Sequence, residues 1–170
     1  FPYTTLFRSL IKGLMESVPS LPASRVDDVI VGNAVPEAEQ GLQFGRMISA
    51  RALGVDVAGI TINRYCASGL ESIAMATAKI RSGMADCIIA GGTESMSLVP
   101  TAGWKTVPSY EIASNDPDYY LSMGLTAEAV AKEYNVSRTD QDAFALLSHQ
   151  KALVAQQENY FKPGILPITV

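Results

Sequence analysis

Ile62-Asn63-Arg64-Tyr65-Cys66-Ala67-Ser68-Gly69-Leu70-Glu71 is the stretch on which the reading of this chain turns. Just upstream, Val57 to Asn63 (VAGITIN) has the β-branched, apolar character of a buried strand. Downstream of Ser68, the residues Leu70, Ile73, Ala74, Thr77 and Ile80 recur at helical spacing. Cys66 therefore falls at a strand-to-helix turn. Free backbone N–H groups and the positive end of a helix dipole gather at such a turn, and together they favour a thiolate and a developing oxyanion. Ala67 and Gly69 leave room beside the sulfur for a substrate. On position alone a plainer reading stands next to this one, because most free intracellular cysteines are small buried hydrophobes. Cys87, inside the apolar run Ala85-Asp86-Cys87-Ile88-Ile89-Ala90, is expected to be of that second kind, a packed and inert thiol in a buried strand.

Working outward, Val26 to Gly32 (VDDVIVG) reads as a buried strand. A loop from Gly32 to Gly41 follows, then a helix from about Gln43 to Ala52 that stops at Gly54. Gly83 ends the Cys66 helix, Cys87 to Ala90 makes the next strand, and Gly91-Gly92 breaks it. Strands alternating with helices imply a parallel sheet with helices on its faces. Ahead of this pattern, Phe1 to Ser9 (FPYTTLFRS) reads as a foreign leader and is set aside, so that an amphipathic helix begins near Leu10 and runs through Glu16. Beyond it, Ser95 to Met123 is punctuated by Pro100, Gly103, Pro108 and Pro117 and reads as a long loop, its aromatics Trp104, Tyr110, Tyr119 and Tyr120 pinning it in place. Thr126 is expected to cap a short helix to Tyr134. Ser137-Arg138-Thr139-Asp140 is a capping-box pattern opening a helix through about Glu158, and Ile165 to Val170 begins a strand.

The chain has 170 residues, 48% of them hydrophobic, and a formal net charge of −4. That length and apolar content suffice for a folded α/β core. No apolar run approaches the length of a membrane span and no basic block is present, which argues against a membrane span and against nucleic acid as a partner. Two cysteines in apolar α/β surroundings make no disulfide framework, so a reducing, cytoplasmic location is expected. Two separated cysteines and one histidine do not supply a metal site. Gly91-Gly92 lacks the spacing of a phosphate-binding loop, and no Gly-x-Ser-x-Gly elbow occurs.

The Cys66 stretch resembles the nucleophile motif of thiolases. The resemblance continues through Ala90-Gly91-Gly92-Thr93-Glu94-Ser95-Met96-Ser97, Met123-Gly124-Leu125-Thr126-Ala127-Glu128 and Ser137 to Lys151 (SRTDQDAFALLSHQK), covering Leu10 to Val170. It implies a layered α/β/α fold with a mixed, mostly parallel sheet and an inserted loop region. Residues 10–94 would form a partial N-terminal core lacking the family's central first strand, and residues 95–170 a truncated loop domain, with the C-terminal half absent. It implies an acetyl-CoA C-acyltransferase of fatty-acid β-oxidation: Cys66 accepts the acyl group as a thioester, Met123 contacts substrate, and coenzyme A thioesters are substrates with no separate cofactor. The full-length protein would be a homo-oligomer, a dimer or tetramer. Ser122, where biosynthetic members carry histidine, tilts the reading toward the degradative enzymes.

Thiolase chemistry also requires a histidine to deprotonate the nucleophile and a second cysteine to move the proton at the substrate α-carbon. No Gly-His-Pro or Cys-Gly-Gly-Gly segment occurs here, and the single histidine, His149, reads as a solvated position on a helix. The piece is therefore expected to be inactive for the full cycle. A decarboxylating 3-ketoacyl synthase and a non-catalytic thiolase remnant that pairs with a partner are the alternatives to a thiolase piece.

Overall fold

The computed structural model describes residues 3–168 and divides into two compact units. The first runs to Thr106 and takes in Leu166, and the second is Val107–Ile165. The division falls later than the boundary expected between Glu94 and Ser95.

In the first unit the order is α1 (Tyr3–Ser17), β1 (Asp28–Gly32), α2 (Phe44–Ala52), β2 (Ile60–Ile62), α3 (Ser68–Arg81) and β3 (Ile88–Gly92). The strands form one parallel sheet in the order β2-β1-β3, with Ile30 beside Ile60 on one side and beside Ala90 on the other. Alternation along β1 sorts its side chains between two layers. Val29 and Val31, both fully buried, join Phe7 and Ile11 of α1 and Phe44 and Ile48 of α2 in the core. Asp28 points to the other layer, where its carboxylate meets the Lys79 ammonium of α3 at 2.5 Å and also accepts the Val29 N–H at 2.9 Å. The expected layered α/β/α arrangement with a parallel sheet is what the chain adopts.

Several local expectations are corrected. The first helix begins at Tyr3, not near Leu10, and Phe7, inside the nine residues set aside as a leader, is 7% exposed in the core. Phe7, Ile11 and Met15 lie at helical spacing on one side of α1 and pack on the core together. Strand β1 is the middle strand of the three and is paired on both edges. Strand β2 is only three residues long. The chain before it is held by side chains instead, with Ser49 Oγ donating to the Val57 carbonyl at 2.8 Å and Arg46 to the Val57 and Val55 carbonyls at 2.7 and 2.8 Å. Strand β3 is half-buried where a fully buried strand was expected, and it begins after Cys87. Gly83, at φ 74°, ends α3 as its sequence position suggests.

The second unit contains α4 (Tyr110–Asn115), a 3₁₀ turn Pro117–Tyr120, α5 (Met123–Glu133) and α6 (Arg138–Gln157). The segment from Ser95 to Met123 is thus not all loop. Tyr120 does pin it, its hydroxyl accepting the Ser109 N–H at 3.0 Å. Helix α5 is capped by Ser122, whose side chain accepts the Leu125 N–H, and not by Thr126, whose hydroxyl donates back to the Ser122 carbonyl at 3.1 Å. Ser137 caps α6 as read: its hydroxyl accepts the Asp140 N–H at 3.1 Å, and it donates to the Asp140 carboxylate at 2.6 Å, so the carboxylate meets the hydroxyl and not the Ser137 N–H that a full capping box would engage. Residues 165–168 form no strand, and the rest of the strand expected at Ile165 to Val170 lies outside the described residues.

Candidate active site

At the C-terminal ends of β1 and β3 the backbone runs close to the start of α3. Gly32, the last residue of β1, has no room for a side chain, because a Cβ there would run into the Ser68 carbonyl. This approach opens a cavity of about 390 Å³, lined by Gly32, Gly92, Cys66, Gly69, Met96 and Val99, with Asn33 and Glu94 among its polar groups. Ligands favour this end of a parallel sheet, where turns leave the strands and helix N-termini converge.

Cys66 is exposed on the wall of this cavity, one residue ahead of the helix cap Ala67. It is not packed as a core hydrophobe. The turn that carries it is tied down on both sides. Ser68 Oγ accepts the Arg64 N–H at 2.8 Å and donates to the Tyr65 carbonyl at 2.6 Å, and Tyr65 itself takes a left-handed conformation at φ 48°. The Ala67, Ser68 and Glu71 N–H groups turn back to Arg64, Tyr65 and Ala67. The Arg64 guanidinium reaches Glu71 across the turn at 2.9 Å, and that carboxylate holds the already high Arg64 pKa higher still.

The cavity is also bordered, through Asn33 and Glu94, by a cluster that sequence reasoning did not single out. Glu94 accepts the Asn33 side-chain amide at 3.0 Å, the Gln40 amide at 2.9 Å and the Ala34 N–H at 2.7 Å. Gln40 in turn accepts the Ser95 N–H at 2.6 Å. Asn33 and Gln40 are each 1% exposed. Asn33 Oδ1 and Ser95 Oγ are buried without partners, which is rare for polar atoms, and both belong to this cluster. A usable signal was present: Asn33 and Glu94 each follow a strand that ends in glycine, at the sheet end where binding residues collect.

Met123 opens α5 in the second unit and is largely exposed, and His149 is exposed on α6. Cys87 is half-buried against the core, its N–H donating to the Asp27 carboxylate at 3.0 Å. Among the described residues no three His, Cys, Asp or Glu side chains gather to hold a metal ion, and no helix is long and apolar enough to cross a membrane.

The model of the thiolase N-terminal domain matches residues 1–170. A 3-ketoacyl-CoA thiolase of Bacillus subtilis (strain 168) is 56% identical over 146 residues, 85% of this chain and 37% of the relative. A beta-ketoadipyl-CoA thiolase of Acinetobacter baylyi is 38% identical over 180 residues, covering 94% of this chain and 44% of its own length. A 3-ketoacyl-CoA thiolase of Shewanella sp. (strain MR-7) is 40% identical over 96% of this chain and 42% of its own. The chain thus spans less than half the length of these relatives, and, matched along its length by the thiolase N-terminal domain, it belongs to the thiolase family.

Proposed function

We propose that this chain supplies the nucleophile of an acetyl-CoA C-acyltransferase that cleaves 3-ketoacyl-CoA. In this reading the Cys66 thiolate attacks the C3 carbonyl, the C2–C3 bond breaks, and C2 takes a proton as acetyl-CoA leaves. The thiolate of free coenzyme A then attacks the acyl thioester and returns the Cys66 sulfur as thiolate. The observation that carries it is the exposure of Cys66 on the cavity at the start of α3, within a thiolase N-terminal domain. Backbone donors at that helix start are suited to the oxyanion of each tetrahedral intermediate. The names of the relatives support a 3-ketoacyl thioester as substrate.

The acid for C2 and the base for the thiol are required by the chemistry. The resemblance assigns them to Gly-His-Pro and Cys-Gly-Gly-Gly segments that this sequence does not contain, so the 170-residue piece is expected to accept an acyl group without turning over. Coenzyme A thioesters serve as substrates with no separate cofactor, Met123 contributes to the acyl pocket of the whole enzyme, and that enzyme works as a cytoplasmic homo-oligomer.

The test is incubation of the chain with acetyl-CoA, followed by mass spectrometry of the Cys66 and Cys87 peptides. Acetylation of Cys66 ahead of Cys87, abolished in Cys66→Ala, is the expected result. A Cys66 peptide that gains no acetyl group while Cys87 does would sink the assignment.

A further inference from the structure

Asn63 stands just ahead of the nucleophile turn, and its side chain bonds in two directions. Its Oδ1 accepts the Tyr65 N–H at 2.7 Å, while its Nδ2 donates to the Ala34 carbonyl at 3.1 Å. The N–H of the same Ala34 donates to Glu94 Oε2 at 2.7 Å. Glu94 Oε1 is fixed in turn by the amides of Asn33 and Gln40, both buried. None of the described ion pairs includes Glu94. Its carboxylate is held by neutral donors alone and so acts as a geometric clamp on the loop after β1.

The far end of this chain of contacts is Tyr65, at φ 48°, directly before Cys66. A residue other than glycine keeps that conformation only where its neighbours over-determine it. Here the neighbours are Asn63 on the Tyr65 N–H and Ser68 on the Tyr65 carbonyl. Ser68 belongs to α3 itself, whereas Asn63 takes its bearing from Ala34, and Ala34 from Glu94. A small misplacement of a reacting atom costs a large factor in rate, which gives such a brace a function beyond stability.

We propose that Glu94 and Asn63 form a positioning relay, through Ala34, that sets where Cys66 sits against the cavity. The relay rests on the reading of Cys66 as the acyl acceptor and adds to it the residues that aim the sulfur. Neither residue is hydrogen-bonded to Cys66 itself in the described contacts.

The experiment is alkylation of the 170-residue chain with iodoacetamide, following the Cys66 peptide by mass spectrometry with Cys87 as internal reference. Asn63→Ala and Glu94→Ala should each slow Cys66 by about five-fold and leave Cys87 unchanged. The double variant should be no slower than the slower single one, because both break the same chain. Single effects that multiply to about 25-fold in the double variant would show independent roles and overturn the relay. Equal changes at Cys66 and Cys87 would mark general loosening and overturn it as well. Should Glu94→Ala not fold, Asn63→Asp decides: it keeps an acceptor for the Tyr65 N–H but sets an oxygen against the Ala34 carbonyl. It should then slow Cys66 as Asn63→Ala does, and a parental rate would remove the Ala34 arm. Iodoacetamide needs no acyl-CoA, so a relay that fails and a Cys66 that is never acylated register in different assays.

Discussion

Tyr65 and Gly32, both on the cavity lining, show the same pressure on the backbone around Ser68. Tyr65 holds a left-handed backbone, which costs an L-residue about 1–2 kcal/mol, so the turn is kept by its side-chain bonds and not by preference. Gly32 lets the end of β1 approach the start of α3 so closely that any Cβ would meet the Ser68 carbonyl, a backbone group that cannot swing aside. Gly32→Ala must therefore push α3 away from β1. We expect a loss of about 1–3 kcal/mol, the usual cost of forcing extra volume into a packed site. Urea unfolding of the two proteins measures it, and a change below about 0.5 kcal/mol, the scale of an ordinary surface substitution, would mean that the approach is looser than described. The cysteine turn was legible because the bonds that close it directly lie within nine residues, from Asn63 to Glu71. The Glu94 cluster was not, since Glu94 meets Asn33 and Gln40 across 61 and 54 positions of sequence, and nothing local announces a bond of that span.

Elements followed the same rule. The α6 start was read correctly because its cap, Ser137 to Asp140, is a local pattern of four residues. Helix α4 was hidden by the prolines around it, although Tyr110–Asn115 contains none. The start of α1 was missed because its spacing signal, Phe7 to Ile11 to Met15, crosses into residues excluded on resemblance. Strand β3 adds a contact that no pattern predicts: its entry is held by Asp27, whose carboxylate accepts the N–H groups of Cys87 and Asp86 at 3.0 and 2.7 Å. Those bonds, the Cys87 one foremost, hold the Asp27 carboxyl below its ordinary value of 3.8. A carboxyl depressed in the folded state adds stability above its unfolded pKa and loses it as pH falls through the folded one. Replacing Asp27 with asparagine keeps an acceptor and removes the charge. Melting temperatures of the parent and Asp27→Asn should therefore differ at pH 6 and converge below pH about 4. A gap that stays constant down to pH 3 would show that the charge plays no part.

The whole molecule distributes burial unevenly. In the first unit Val29, Ile30 and Val31 are fully buried, and the strand they form is bonded on both edges. In the second unit α4, α5 and α6 contain no buried residue, and Phe144, Leu147 and Leu153 of α6 stand exposed. What holds α6 is local: the Ser137 cap and the Arg138 to Asp142 pair at 2.9 Å. Caps and exposed pairs contribute about 1 and 0.3–0.5 kcal/mol, whereas most helical stability in proteins comes from tertiary packing of an apolar face. Opening free energies follow burial and contact density, so the two units should exchange their amide hydrogens on different schedules. We expect the β1 amides to outlast those of α6 by at least tenfold, about 1.4 kcal/mol in opening free energy. The comparison is internal to one hydrogen-exchange experiment, read by mass spectrometry on peptides from the two regions. Protection in α6 equal to that of β1 would show that its apolar side is covered in solution, and the stability of the second unit would then have to be sought in that cover and not in its caps.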